Sequence, residues 1–151
     1  MNRLFSTFAA LVLLVAALVP AAHAQSFGSQ DVLGTWTFFV KIDGAPPCQC
    51  IVIIHLRNDG TLETPGTDQF TGYGIGEWKK TGLNTVSFAF VQNNFNMDGS
   101  AGGEYVIRGT MNLNPTADQG NGTSTFQILA NGGAVVASGT ASFTATKLKV
   151  P

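Results

Sequence analysis

Turn-forming residues recur along this chain at intervals that leave room for strands and little else. Gly44-Ala45-Pro46-Pro47, Asn58-Asp59-Gly60, Pro65-Gly66, Thr81-Gly82, Asp98-Gly99, Asn114-Pro115 and Asn131-Gly132-Gly133 mark the breaks. The eight runs between them, 33–42, 49–57, 60–65, 70–80, 83–91, 103–113, 121–130 and 134–146, have strand length. Apolar residues alternate with a period of two in Trp36, Phe38, Val40 and Ile42, and again in Val86, Phe88 and Phe90, as they do on a half-buried strand. Beyond the leader described next, no run keeps a helical period for long. The expected fold class is therefore all-β. Hairpin-sized connections favour an antiparallel up-and-down barrel of about eight strands over a Greek-key sandwich, and closure would remove the sheet edges that invite aggregation. A barrel of that size has an interior that side chains fill or that holds one small ligand. Gln92 to Gly102 and Asn114 to Gly122 read as the most loop-like interior segments, and Asn121-Gly122-Thr123, although it matches a glycosylation acceptor, reads as a turn.

The first residues follow a different pattern. Arg3, the apolar run Leu11 to Val19, and Ala22-His23-Ala24 after Pro20 form the charged start, core and small-residue cleavage site of a secretory signal. The expectation is a signal peptide over 1–24 and a single β-barrel domain over 25–151, secreted or periplasmic. The apolar run is short for a membrane span and no stop-transfer cluster follows it, so no membrane anchor is expected after cleavage.

Composition narrows the function classes. With 8 basic and 9 acidic residues the chain has a formal net charge of -1, and it offers no basic patch to hold a phosphate backbone, so nucleic acid is not an expected partner. Hydrophobic content of 44% rules out a disordered chain. Past the leader the one histidine is His55, so a catalytic triad or a multi-histidine zinc site would rest on it alone. Nothing in the sequence calls for a metal or a cofactor. Cys48 and Cys50 flank Gln49, and in an exported chain the favoured reading is a disulfide. Bridges to a second chain, metal binding with His55 and unpaired thiols are the alternatives. The metal option suffers because odd-numbered His55 would face away from both cysteines on one regular strand.

The aromatic residues supply the candidates for a ligand site. Trp36, Phe38, Tyr73, Trp78, Phe88, Phe90 and Tyr105 are expected either to pack a core or to line a cavity. Gly72, Gly74 and Gly76 fall on one face of one strand and leave it bare, so something bulky must approach there, either a side chain of the protein or a planar ligand. Glu77, Glu104, Asp98 and Arg108 are the charged candidates for an interior, with the solvated outer side as their favoured place.

Gly34-Thr35-Trp36 at the start of the first strand, followed by a meander of short strands, resembles the lipocalin and calycin group of small secreted barrels. Asp59-Gly60-Thr61, Gly74-Ile75-Gly76-Glu77-Trp78 and Arg108-Gly109-Thr110 add a similarity to small bacterial members and to allene-oxide-cyclase-like barrels. The resemblance implies that the Trp36 indole closes one end of the barrel and that Lys147 or Lys149 covers it. It departs from the group in having no helix after the last strand and in a shorter chain. Avidin-like barrels also open with Gly-Thr-Trp, but Thr37-Phe38-Phe39 lacks their polar biotin contacts. The implied function is binding of a small, largely apolar molecule in the interior. A cyclase or isomerase on the same barrel, moving a proton with one Glu or Tyr, is the first alternative, and a non-catalytic structural or interaction protein with a filled core is the second.

Overall fold

The strands follow the same order in the chain and in the sheet. In the computed structural model, which describes residues 28–47 and 50–149, a 3-10 turn, Ser29–Val32, leads into β1 (Gly34–Ile42) and β2 (Cys50–Leu56). There follow β3 (Thr61–Thr64), β4 (Thr71–Lys80), β5 (Thr85–Phe95), β6 (Ala101–Leu113), β7 (Gln119–Leu129) and β8 (Val135–Lys147). Each pairs antiparallel with the next, and β8 returns to β1 from Trp36↔Lys147 to Ile42↔Ala141, which closes an eight-stranded barrel. The leader expected over 1–24 and Cys48 lie outside the described residues.

The turns form as their side chains dictate. Asp59 Oδ1 accepts from the Thr61 backbone N–H at 2.9 Å and from its hydroxyl at 2.6 Å. Asp98 does the same with Ser100, at 2.9 and 2.6 Å. The following glycines, Gly60 and Gly99, take the left-handed conformation, with φ of 84° and 80°. The hydroxyl and amide donors hold both carboxyls below the usual carboxylate range.

Two segments that read as loops are loop only in part, over 96–100 and 114–118, and strand at their ends. Phe95 pairs with Ala101, so the β5–β6 hairpin narrows to a tight connection in which Asn96 N–H donates to Ser100 O. Gln119 to Gly122 belong to β7, and Asn121 pairs with both Asn112 and Thr144, so Asn121-Gly122-Thr123 is mid-strand rather than a turn. The glycines there signal close approach. A Cβ on Gly122 would lie 1.9 Å from the Thr110 carbonyl oxygen and 2.7 Å from the Phe143 ring.

Inward-facing residues sort by height along the barrel. At one end Trp36, Ile54, Leu62, Val86 and Met111 are fully buried, and Val32 of the 3-10 turn seals them. Trp36 Nε1–H donates to the Val32 carbonyl at 2.9 Å. Lys147, the cross-strand partner of Trp36, donates from Nζ to the Asp31 carbonyl at 2.8 Å, while Lys149 reaches Asp118. In the middle, Phe38, Phe88 and Phe143 form an aromatic layer with ring centroids 4.9 to 5.9 Å apart. Large rings lie over glycines of the adjoining strand: a Cβ on Gly109 would meet Phe88 at 2.4 Å, and one on Gly139 would meet Phe126 at 2.7 Å.

Asp118 ties the β6–β7 turn to the end of the chain. Its carboxylate accepts from Lys149 Nζ at 2.6 Å, Thr116 Oγ1 at 2.6 Å and Asn114 Nδ2 at 2.8 Å. Lys149 first, then the two neutral donors, hold this carboxyl far below the usual range. A carboxyl depressed on folding stabilises fully above its unfolded pKa, about 3.9, and loses that contribution as pH falls toward the folded value. The urea midpoint of Asp118→Asn is therefore expected below that of the parent at pH 6, with the gap narrowing steadily below about pH 4. A gap that stays constant down to pH ~2 would remove Asp118 from the acid response.

Candidate functional site

Above the aromatic layer, on the side away from Trp36, the barrel holds a cavity of about 290 Å³. Phe38, Phe88 and Phe143 form its floor. Ile54 reaches it from below, and its walls come from the inward positions of the strands around it: Val40 and Ile42 on β1, Val52 on β2, Phe90 on β5, Ile107 on β6, and Phe126 and Ile128 on β7. These walls follow from a period of two, because each strand that contributes Phe38, Ile54, Phe88 or Phe143 lower down continues to the next inward residue above. At the far end Ile42, Cys50, Thr71, Tyr105 and Ile128 are half-buried, so the cavity opens to solvent there.

Few polar groups reach this space. Gln92, 5% exposed, donates from Nε2 to the Gly72 carbonyl at 2.9 Å. That carbonyl lies where the β4–β5 register shifts, between Thr71 and Gly74. Tyr105 sits directly across from Gln92 in the β5–β6 ladder. Burial, with Asp68 nearby as a smaller cause, pushes its phenol pKa up, so the group stays protonated at neutral pH. Thr71 and Ser124 add hydroxyls, and Cys50, which is disulfide-bonded, lines the mouth. Asp, Glu, His, Lys and Arg are absent from the lining among the described residues.

Of the seven aromatic candidates, Phe38, Phe88, Phe90 and Tyr105 line the cavity, and Trp36, Tyr73 and Trp78 do not. Trp36 has the expected inward direction but lies below the aromatic layer, in the closed end. Trp78 lies there too, with Nε1–H donating to the Arg57 carbonyl at 2.8 Å. Tyr73 faces outward and is 52% exposed, because the glycines with which it alternates take the inner face of β4. That inner face offers no slot for a planar ligand. A Cβ on Gly72 would meet Phe95 at 2.7 Å, and one on Gly74 would meet Thr64 at 2.6 Å. Sequence reasoning missed Gln92, Val52, Ile107 and Ile128 as lining residues. The β1 alternation continued into the facing register would have found Val52, which pairs with Phe38.

The remaining polar candidates stand on the outer surface. Arg57 binds Glu63 at 2.6 Å, and this bond with that of the Tyr73 phenol holds the Glu63 carboxyl below its usual range. His55 Nδ1 lies 3.0 Å from Thr35 Oγ1. Glu104 and Glu77 are exposed. Glu77, Lys79, Arg108 and a set of Ser and Thr hydroxyls border a wider concavity of about 1020 Å³ across β3 to β8, more open to solvent and with a far more polar lining. The interior cavity, with its almost wholly apolar lining, is the better ligand site. Compared with protein-family models, with curated proteins and with solved structures, the chain matches none, and what stands is an all-antiparallel, closed eight-stranded barrel with an apolar cavity above its aromatic floor.

Proposed function

We propose that this chain is an exported barrel that takes one small, largely apolar molecule into its interior. One observation carries the proposal, the cavity of about 290 Å³ with walls of Phe, Ile and Val. An apolar cavity of about 150 Å³ already admits benzene, and one near 300 Å³ stands at the lower edge of the range for small-molecule sites. The likeness to lipocalin and calycin barrels supports the same reading through Trp36 in the closed end and Lys147 across from it. A filled structural barrel fits less well with this volume. An enzyme would have to move its proton with Tyr105, since Glu77 and Glu104 stand outside.

Native mass spectrometry of the protein from a secreting host, beside the denatured sample, is the test. The expected result is a chain beginning at Gln25 that carries an additional mass lost on denaturation. A second measurement does not depend on what the host supplies: titration with naphthalene, for the parent and for Val52→Phe. Val52 is half-buried on the cavity wall, so the larger ring fills the space without entering the closed end. The variant is expected to keep its urea midpoint within about 1 kcal/mol and to lose naphthalene binding at least tenfold. A bare chain mass together with no naphthalene binding by the parent would overturn the proposal.

A further inference from the structure

The cavity carries a polar pair whose geometry goes beyond what apolar uptake requires. A carbonyl oxygen only accepts, so the contact to Gly72 O fixes the Gln92 amide with its nitrogen toward β4 and leaves Oε1 on the other side. No described residue donates a hydrogen bond to that oxygen. It is also not sealed off, since Asn84 Oδ1 is the one fully enclosed side-chain atom without a partner among the described residues. A residue present only to satisfy the Gly72 carbonyl would need a donor alone. Gln92 brings an acceptor as well, and it is one of two buried polar or charged residues among those described. Once an apolar body fills the cavity, an acceptor left there without a donor costs about 1–3 kcal/mol.

The neighbour completes the arrangement. Gln92 and Tyr105 are register partners with both side chains directed inward, so they stand side by side in the wall. The Tyr105 hydroxyl makes no hydrogen bond to a described residue either, with Asp68 felt only as a nearby charge. One wall of the cavity thus offers an acceptor and, beside it, a hydroxyl that donates.

Resting on the binding reading above, we propose that the ligand is a neutral alcohol or phenol, its hydroxyl donating to Gln92 Oε1 and accepting from the Tyr105 hydroxyl, on a one- or two-ring apolar body. A cavity about twice that which admits benzene sets the size. A hydrocarbon leaves both groups unpaired, a ketone leaves Gln92 without a donor, and a carboxylate brings a charge into a lining that has no cation among the described residues.

The test compares 2-naphthol, naphthalene and 2-naphthoate by calorimetric titration at pH 7 on the purified protein and on Gln92→Met and Tyr105→Phe. The parent is expected to bind 2-naphthol about tenfold tighter than naphthalene, the increment of one good hydrogen bond, and to bind 2-naphthoate weakest. Gln92→Met should cut the 2-naphthol preference from about tenfold to about threefold or less while changing naphthalene less than about twofold, and Tyr105→Phe should remove about threefold. If the parent binds naphthol and naphthalene equally, or Gln92→Met keeps the preference, the alcohol proposal falls and the apolar cavity stands. If neither compound binds the parent, the cavity reading itself falls. Should Gln92→Met fail to fold, the parent's ratio and the Tyr105→Phe variant still decide.

Discussion

Replacing Trp36 with alanine is expected to cost about 4 kcal/mol, as for a large aromatic side chain removed from a packed core. The side chain is fully buried and shares its cluster with Val32, Ile54, Leu62 and Met111. Two losses combine. The indole volume disappears from a packed, fully buried cluster, and the Val32 carbonyl loses the Nε1–H donor that lies 2.9 Å away. Because domains of this size are stable by roughly 5–15 kcal/mol, the change removes a large share of the total. Urea unfolding followed by the fluorescence of Trp78 measures it. Trp36→Phe separates the two losses, since it restores much of the volume and leaves the carbonyl unpaired, with an expected cost of about half. Trp36 lies below the aromatic layer and does not line the cavity, so the folded fraction of either variant should bind naphthalene as the parent does. A midpoint shift worth under about 1 kcal/mol for the alanine variant would mean that the closed end relaxes around the missing ring.

Strand number, order and inner face are written locally in this chain. Each turn is announced by its own residues, as in Asp59-Gly60-Thr61 and Asp98-Gly99-Ser100, and the alternation of Trp36, Phe38, Val40 and Ile42 fixes which side of β1 faces in. Height along the barrel is a different matter, because it depends on registers between distant residues. Trp36 and Trp78 have the correct face and the wrong level. Tyr73 has the wrong face, and the bare glycines beside it were the available signal: Phe95, Phe90 and Thr64 of the chain itself fill the space that they leave. Gln92 stayed hidden for a related reason. It opens the segment Gln92 to Gly102, whose Asn, Asp and Gly content reads as a loop, yet the hairpin there narrows so far that β5 runs on to Phe95. Its pairing with Tyr105 is a product of that narrowing.

Gly76→Ala is expected to break the barrel through one methyl group. Gly76 pairs with Phe90 on β5, and a Cβ there would lie 2.0 Å from the Ala89 carbonyl oxygen and 2.6 Å from Phe90 Cα. Its φ is not in the left-handed region, so the conformation suits alanine and the whole cost is space. The atoms in the way belong to the backbone, which no rotamer change can move. β4 and β5 must part, and in a closed barrel a parted pair becomes two open edges. The cost should reach the upper end for overpacking, about 3 kcal/mol or more, with self-association as a second symptom. Gly99→Ala is the matched control: nothing lies within 4 Å of its Cβ, but its φ is +80°, so it should cost only the left-handed penalty of about 1 kcal/mol. Urea midpoints and size-exclusion profiles of the two variants measure both effects. If Gly76→Ala proves no more harmful than Gly99→Ala, the strands can part without loss, and close approach at Gly76 is not what holds β4 against β5.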